Sequence, residues 1–317
     1  MSSLSDFVIE NGVLTKYIGT DEDVVIPDSV TSIGGYAFNQ CTSLTSITIP
    51  DSVTSIGGAA FLGCTSLTSI AIPDSVTSIG GFAFCRCTSL TSITIPEGVT
   101  SIGRAAFSGC ECLTDIIVAN NNTNYKSIDG NLYSKDEKTL IQYVGGETTI
   151  SFAIPEGVTS IGIGEYAFSE YTNLTSVTIP EGVTSIGDYA FSQCTSLTSV
   201  TIPDSVISIG EQAFWNCTSL TSITMAEGLT SIGRAAFSNC TSLTSIEIPE
   251  SVTSIGEKAF SLCTSLTSIT IPESVTSING AAFSECKKKK LIIKGCPGSY
   301  AEIYAKKKRI LFEAIEE

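Results

Sequence analysis

The 317-residue sequence has no histidine, one tryptophan and two methionines. Without histidine, no Ser-His-Asp or Cys-His arrangement can activate a nucleophile. Charge is scarce as well: 15% of residues are charged and the net charge is −15. A surface this acidic repels a phosphate backbone, so nucleic acid is not an expected partner. No apolar run approaches the roughly 18–20 residues that cross a bilayer, so no membrane span is expected. The opening Met1-Ser-Ser-Leu-Ser-Asp-Phe7 lacks a basic n-region and an apolar h-region. No signal peptide is visible, and the chain as written is expected to be cytoplasmic. No Gly-rich phosphate loop precedes a helix, because the Ile-Gly-Gly pairs belong to a repeat. No catalytic residue, cofactor or metal is assigned, and an enzyme is not expected.

What is present is a repeat. The pair Ala-Phe ends at Phe38, Phe61, Phe84, Phe107, Phe168, Phe191, Phe214, Phe237, Phe260 and Phe283, with a step of 23 residues throughout except between Phe107 and Phe168. A two-residue duplication, Ile161-Gly162-Ile163-Gly164, stands just before Phe168. Counting from the Phe, Leu lies six on (Leu44, Leu266), Ile or Val nine on (Ile47, Val177) and Ile eleven on (Ile49, Ile271). Apolar residues at every second position predict a strand with one buried face. The following proline, as at Pro50, Pro203 and Pro272, cannot donate to a ladder and ends the strand. Gly stands four before the Phe, from Gly34 to Gly256 and including Gly164, with Asn279 in the tenth unit. Gly and Asn are the residues that best tolerate positive φ, so a left-handed backbone is expected there. The Ala-Phe then enters a short helical or 3₁₀ turn with the ring inward. No unit can bury its own Leu, Ile and Phe, but stacked units can, which predicts a solenoid with one rung of parallel sheet per coil.

Leu-x-x-Ile-x-Ile-Pro followed by x-x-Val-x-x-Ile-Gly-x-x-Ala-Phe-x-x-Cys resembles the BspA-like leucine-rich repeat, over about residues 20–286. The resemblance implies a leucine-rich-repeat solenoid, a right-handed, β-rich superhelix. A parallel concave sheet would lie opposite helical or 3₁₀ turns on the convex side. It also implies adhesion or protein binding rather than catalysis, at a cell surface or in a secreted protein.

Five segments are expected. Residues 1–26 are a capping hairpin turning at Asn11-Gly12, a strong type I′ signal. Residues 27–117 form a first repeat block. Residues 118–150 are a hairpin insert, a pattern also found in BspA-like arrays, which is either a ligand-contacting projection or a spacer on the sheet edge. Residues 151–286 form a second block, in which Met225-Ala226 replaces Ile-Pro once. Residues 287–317 are a cap with a short helix behind Ser299 as N-cap and a closing strand from Ile310 to Ile315. Lys289 and Lys294 take apolar positions in the decaying last unit. Residues 1–286 hold 8 Lys/Arg against 28 Asp/Glu, while residues 287–317 hold 9 against 4. The basic runs Lys287–Lys290 and Lys306–Arg309 either meet an anionic surface or solubilise the end.

Nine of the twelve cysteines stand three after the Phe, from Cys41 to Cys286. One per coil reads as a column of buried thiols serving as small apolar groups. Cys85-x-Cys87 and Cys110-x-Cys112 are not zinc spacings. Acidic residues after proline, such as Asp51 and Glu181, offer one carboxylate per coil where calcium wants about six to eight oxygens.

Two faces are candidates for binding. Ser and Thr at eight and ten after the Phe point away from the core: Ser176, Thr178, Ser199, Thr201, Ser222 and Thr224. This hydroxyl array suits a repetitive ligand such as a glycan, or simply reflects threonine's fitness for strands. Variable aromatics and cations near the Phe, namely Tyr166, Tyr189, Trp215 and Arg234, are of the types enriched at protein interfaces, or else pack over the turns. The expectation is a monomeric, non-enzymatic binding module for a protein partner. The alternatives are a glycan-binding adhesin and a purely structural spacer.

Overall fold

A computed structural model describes the whole chain except residues 1–2, 147, 163–165, 226, 288–289 and 316–317. Gly164 of the glycine column, the Ile163-Gly164 duplication, Ala226 and Lys289 thus lie outside the described residues. The chain divides into two units, Met1–Thr148 with Gly164–Ala167, and Thr149–Ile163 with Phe168–Glu317. Each is a solenoid of stacked coils.

In the first unit the hairpin Phe7–Glu10 and Val13–Tyr17 pairs antiparallel and turns through Asn11 and Gly12, both at positive φ. The strand Val13–Tyr17 then continues in parallel into Ser32–Ile33, Ser55–Ile56, Ser78–Ile79 and Ser101–Ile102. These two-residue rungs make a second ladder that the period-two pattern does not announce. The anticipated ladder is also there, in Asp23–Val25 paired with Ser46–Thr48 and in Ser92–Ile95 paired with Asp115–Val118. In the second unit the same two ladders recur. One runs from Ser160–Ile161 to Ser277–Ile278. The other comprises Ser151–Ala153 through Ser222–Met225, and then Ser245–Glu247 through Leu311–Ala314.

Between Gly and Cys each coil makes a run of hydrogen-bonded turns on its third side. Alternate amides divide the work there. Ala37, Asn39 and Cys41 donate to carbonyls three residues back, while Tyr36, Phe38 and Gln40 donate to Gly58, Ala60 and Leu62 of the next coil. This alternation needs left-handed backbone two before and two after the Phe, at Tyr36 (φ 60) and Gln40 (φ 57), and likewise in later coils. The expectation of positive φ at the regularly spaced glycines is therefore overturned. Gly34, Gly57, Gly80 and Gly256 are not left-handed; they are glycine because a Cβ would strike the preceding coil's backbone. Asn279 is not left-handed either, and its side chain accepts from Ala281 N at 2.9 Å.

The phenylalanines point inward and stack. Centroids of Phe38, Phe61, Phe84 and Phe107 lie 5.0, 5.3 and 5.8 Å apart with near-parallel planes, and Phe168 to Phe283 stack similarly in the second unit. Tyr17 begins the first stack at 5.2 Å, and Tyr304 ends the second edge-on at 5.8 Å. Beside the rings, buried thiols donate to Phe carbonyls one coil back: Cys64 to Phe38 O at 3.1 Å, Cys217 to Phe191 O at 3.2 Å. Burial foremost, then the neighbouring thiols, holds Cys217, Cys240 and Cys263 well above their ordinary range.

Within 118–150 the chain forms Tyr125–Ile128, Asn131–Ser134 and Thr139–Gln142, an antiparallel meander one strand longer than the expected hairpin. Its anchor is the buried Asn122. The amide Nδ2 donates to Pro96 O and Val99 O at 2.8 and 2.9 Å, and Oδ1 accepts from Asn124 N and Tyr125 N. Tyr125 OH accepts from Ile102 N at 2.9 Å, supplying an acceptor for the last rung of the second ladder. Tyr143 is buried, its amide donating to Ala167 O as Phe38 donates to Ala60. At the other end of the chain the helix Tyr300–Lys308 is capped by Ser299 and followed by the strand Leu311–Ala314.

Candidate functional site

Ser and Thr are abundant, and many of their hydroxyls are already engaged. At the coil corners Thr54, Thr77, Thr198 and Thr230 donate to backbone carbonyls one coil back, at 3.1–3.2 Å. Ser52 and Ser205 do so to Val30 and Val183 at 2.6 and 2.8 Å. Ser32 and Ser55 share a hydrogen bond at 2.8 Å along the second ladder. These hydroxyls stitch coil to coil; their abundance needs no ligand to explain it.

The six hydroxyl residues singled out from sequence are different. All lie in the second unit, exposed on the Ser-x-Thr ladder, with Ser176, Ser199 and Ser222 in register and Thr201 opposite Thr224. Among the described residues their hydroxyls bond no protein group. The array is shorter than the sequence suggests. Among the described residues no ladder joins Ser222–Met225 to Ser245–Glu247, and a groove of about 460 Å³ opens there. Thr224, Met225, Glu247 and Ile248 line it, with Cys296 and Ile315 from the C-terminal segment. Met225, standing where other coils have Ile, is the sequence signal of this break.

The aromatic and cationic candidates lie on the third side. In the first unit Tyr166 meets Phe82 edge-on at 5.7 Å, and the Arg104 guanidinium sits 5.4 Å from the same Phe82 ring. In the second unit the structure links Tyr189 to Arg234 through residues the sequence reading passed over. Gln212 Nε2 donates to Tyr189 OH at 3.0 Å and to Glu211 Oε1 at 3.2 Å. Arg234 donates to Glu211 Oε1 at 2.9 Å and lies 3.5 Å from Glu257. Tyr189, Gln212, Glu211, Arg234 and Glu257 thus form one hydrogen-bonded row across successive coils. Gln212 stands 23 residues from Tyr189, and Glu211 and Glu257 each stand 23 from Arg234, and that spacing was the available signal. Trp215 is half-buried in the same turn as Gln212, in the column that holds the buried Ser192 and Ser238. Exposed ion pairs of this kind contribute at most about 1 kcal/mol; what they supply is a fixed orientation for the side chains.

The row offers aromatic surface, an amide and charges. Among the described residues no three His, Cys, Asp or Glu side chains converge to hold a metal ion. No helix among them is long and apolar enough to cross a membrane.

Comparisons with known proteins agree with this architecture. The profile of the BspA type leucine rich repeat region matches residues 16–138 and 161–290, with six copies. A leucine-rich repeat protein from Eubacterium ventriosum is 27% identical, with a TM-score of 0.72, over 86% of this chain and 88% of that one. A leucine rich cell surface protein from Faecalibacterium prausnitzii is 30% identical over 94% of both chains, with a TM-score of 0.49. The pneumococcal vaccine antigen PcpA is 19% identical, with a TM-score of 0.61, over 96% of this chain and 92% of that one. No curated protein matches the chain.

Proposed function

We propose, from the premise that this chain belongs to the BspA-type leucine-rich repeat family, that it is a non-enzymatic binding module. It engages a protein partner through the turn side of its coils. One observation carries this reading. The position two before the Phe has left-handed backbone, which costs an ordinary residue about 1–2 kcal/mol. Ala59, Ala105 and Ala235 show that the coil needs no large side chain there, yet Tyr36, Phe82, Tyr166 and Tyr189 occupy it. Tyr36 is 63% exposed. Rigid aromatics held at a strained position, beside an oriented Arg, suit recognition better than packing.

The test is retention of extracellular host or microbial proteins on the immobilised chain. Tyr189→Ala with Arg234→Ala is expected to lose at least about tenfold in affinity for a retained partner. The quadruple variant Ser199→Lys, Thr201→Lys, Ser222→Lys, Thr224→Lys is expected to leave that affinity unchanged. The opposite outcome, with binding to a glycan panel lost in the quadruple variant, favours the second reading, for which the in-register unbonded hydroxyls speak. A chain that retains neither class of ligand would be a spacer. The setting we propose is a cell surface, tested by biotinylating intact cells that express the protein.

A further inference from the structure

Of the large apolar side chains that remain exposed, Ile117, Ile150, Ile207 and Leu262 stand singly, while the others gather at the start of the first unit and the end of the second. Leu4, Val8, Ile18 and Val25 lie near the first coil, and Tyr300, Ile303 and Leu311 near the last. Each extreme also presents a strand edge with no described neighbour. Asp23–Val25 begins its ladder, and Leu311–Ala314 ends its own.

The backbone groups on those edges can be assigned. Thr45 N donates to Glu22 O and Ile26 N donates to Thr48 O. Strand alternation therefore turns the N–H and C=O of Asp23 and Val25 outward. Ile315 N donates to Gly295 O, which likewise turns those of Phe312 and Ala314 outward. In a parallel pair, a residue facing its partner bonds to the partner residues just before and just after the one opposite it. Phe312 opposite Val24, bonding Asp23 and Val25, satisfies both edges at once. It also places Phe312, half-buried, in the inward column where Ile246, Ile269 and Ile293 are fully covered.

That register fixes the charges. Just ahead of the paired strands, Ile310 comes beside Glu22, and Arg309, left-handed at the end of the helix (φ 58), comes near Asp21 and Glu22. The basic run Lys306–Arg309 precedes the last strand as the acidic run Asp21–Asp23 precedes the first. Charged residues on an edge are also how proteins discourage pairing. Here the basic run faces the acidic one, while Glu313 on the last strand is paired with Lys294 at 3.0 Å and Lys306 with Glu302 at 2.6 Å, so the balance discourages like edges and favours unlike ones.

We propose that the chain associates head to tail with a second copy of itself. The strand Leu311–Ala314 of one copy extends into Asp23–Val25 of the next by the same parallel step that joins successive coils. The contact is heterologous, so each copy keeps one edge to take a further copy. This differs from the monomer expected on sequence.

The experiment is sedimentation velocity of the 317-residue chain at several concentrations, in low and high salt. Wild type is expected to show concentration-dependent association that weakens as salt screens the facing charges. Arg309→Glu or Asp21→Lys alone should weaken association about fivefold to tenfold. The double variant carrying both substitutions should restore it, because the exchanged charges then face each other again at every contact. Val25→Pro removes an outward N–H that, among the described residues, no bond uses. It should abolish association while the circular dichroism spectrum and melting temperature stay near wild type. A wild type that is monomeric throughout overturns the proposal, as does association indifferent to all three substitutions.

Discussion

A Cβ built on Gly80 would strike Gly58 N and lie 2.6 Å from Gly57 C. Both are backbone atoms of a neighbouring coil and cannot rotate aside. Gly80→Ala must therefore push two coils apart, and a cost of about 2–3 kcal/mol is expected. The neighbouring position is the control. A Cβ on Gly58 meets only Gly81 O, at 3.4 Å, and other coils already carry Arg104, Asp188 and Arg234 there. Gly58→Ala should stay within about 0.5 kcal/mol. Denaturant midpoints for the pair decide the point; equal losses would mean that the glycine column is not set by coil spacing. Strain sits elsewhere in the same turn, at residues such as Tyr189 (φ 57) and Lys258 (φ 56), where no glycine marks it.

At the scale of the element, the thiol column makes stability depend on pH on the alkaline side. Burial raises the Cys217, Cys240 and Cys263 thiols well above 9.0. For the free Cys64 thiol, hydrogen bonding with the Cys87 thiol comes first and burial second. A group raised on folding contributes stability that is fully present below its unfolded value and fades as pH climbs towards the folded one. Stability is therefore expected to hold up to about pH 8.5 and to fall steadily above it. Urea midpoints between about pH 7 and 10.5 would show this, and a flat profile would contradict it. Tyr133 and Tyr304, each pushed by burial to about 12, add to the same slope at higher pH.

How far such elements can be read from sequence depends on their length. The Ser-Ile-Thr strand and the inward Phe were legible because Leu-x-x-Ile-x-Ile and Ala-Phe recur at one fixed step of 23 residues. The Ser-Ile rung was not, since two residues carry no period. The glycines were assigned to the wrong cause, because contact with another coil's backbone leaves no mark distinct from positive φ. Of the binding surfaces, the residue types were legible and their wiring was not. Nothing local to Arg234 or Tyr189 announces Glu211, Gln212 or Glu257, which reach them only because coils stack at one fixed step.

Across the whole molecule, each coil in a unit is held by its two neighbours, so stability approximates a sum over coils and their contacts. Excising residues 211–233, one period, joins Gly210 to Arg234 and leaves every column in register. The shortened chain is expected to fold with a similar circular dichroism spectrum and a modestly lower melting temperature. Excising residues 211–222 instead shifts the inward columns outward and should abolish cooperative melting. If both deletions behave alike, the register argument is wrong. The corner hydroxyls carry a further consequence. They land on main-chain carbonyls, which are the same whatever residue supplies them. A coil therefore does not recognise which sibling it sits upon. Gain or loss of whole 23-residue turns is therefore expected to keep the array folded, while the turn residues change independently of it.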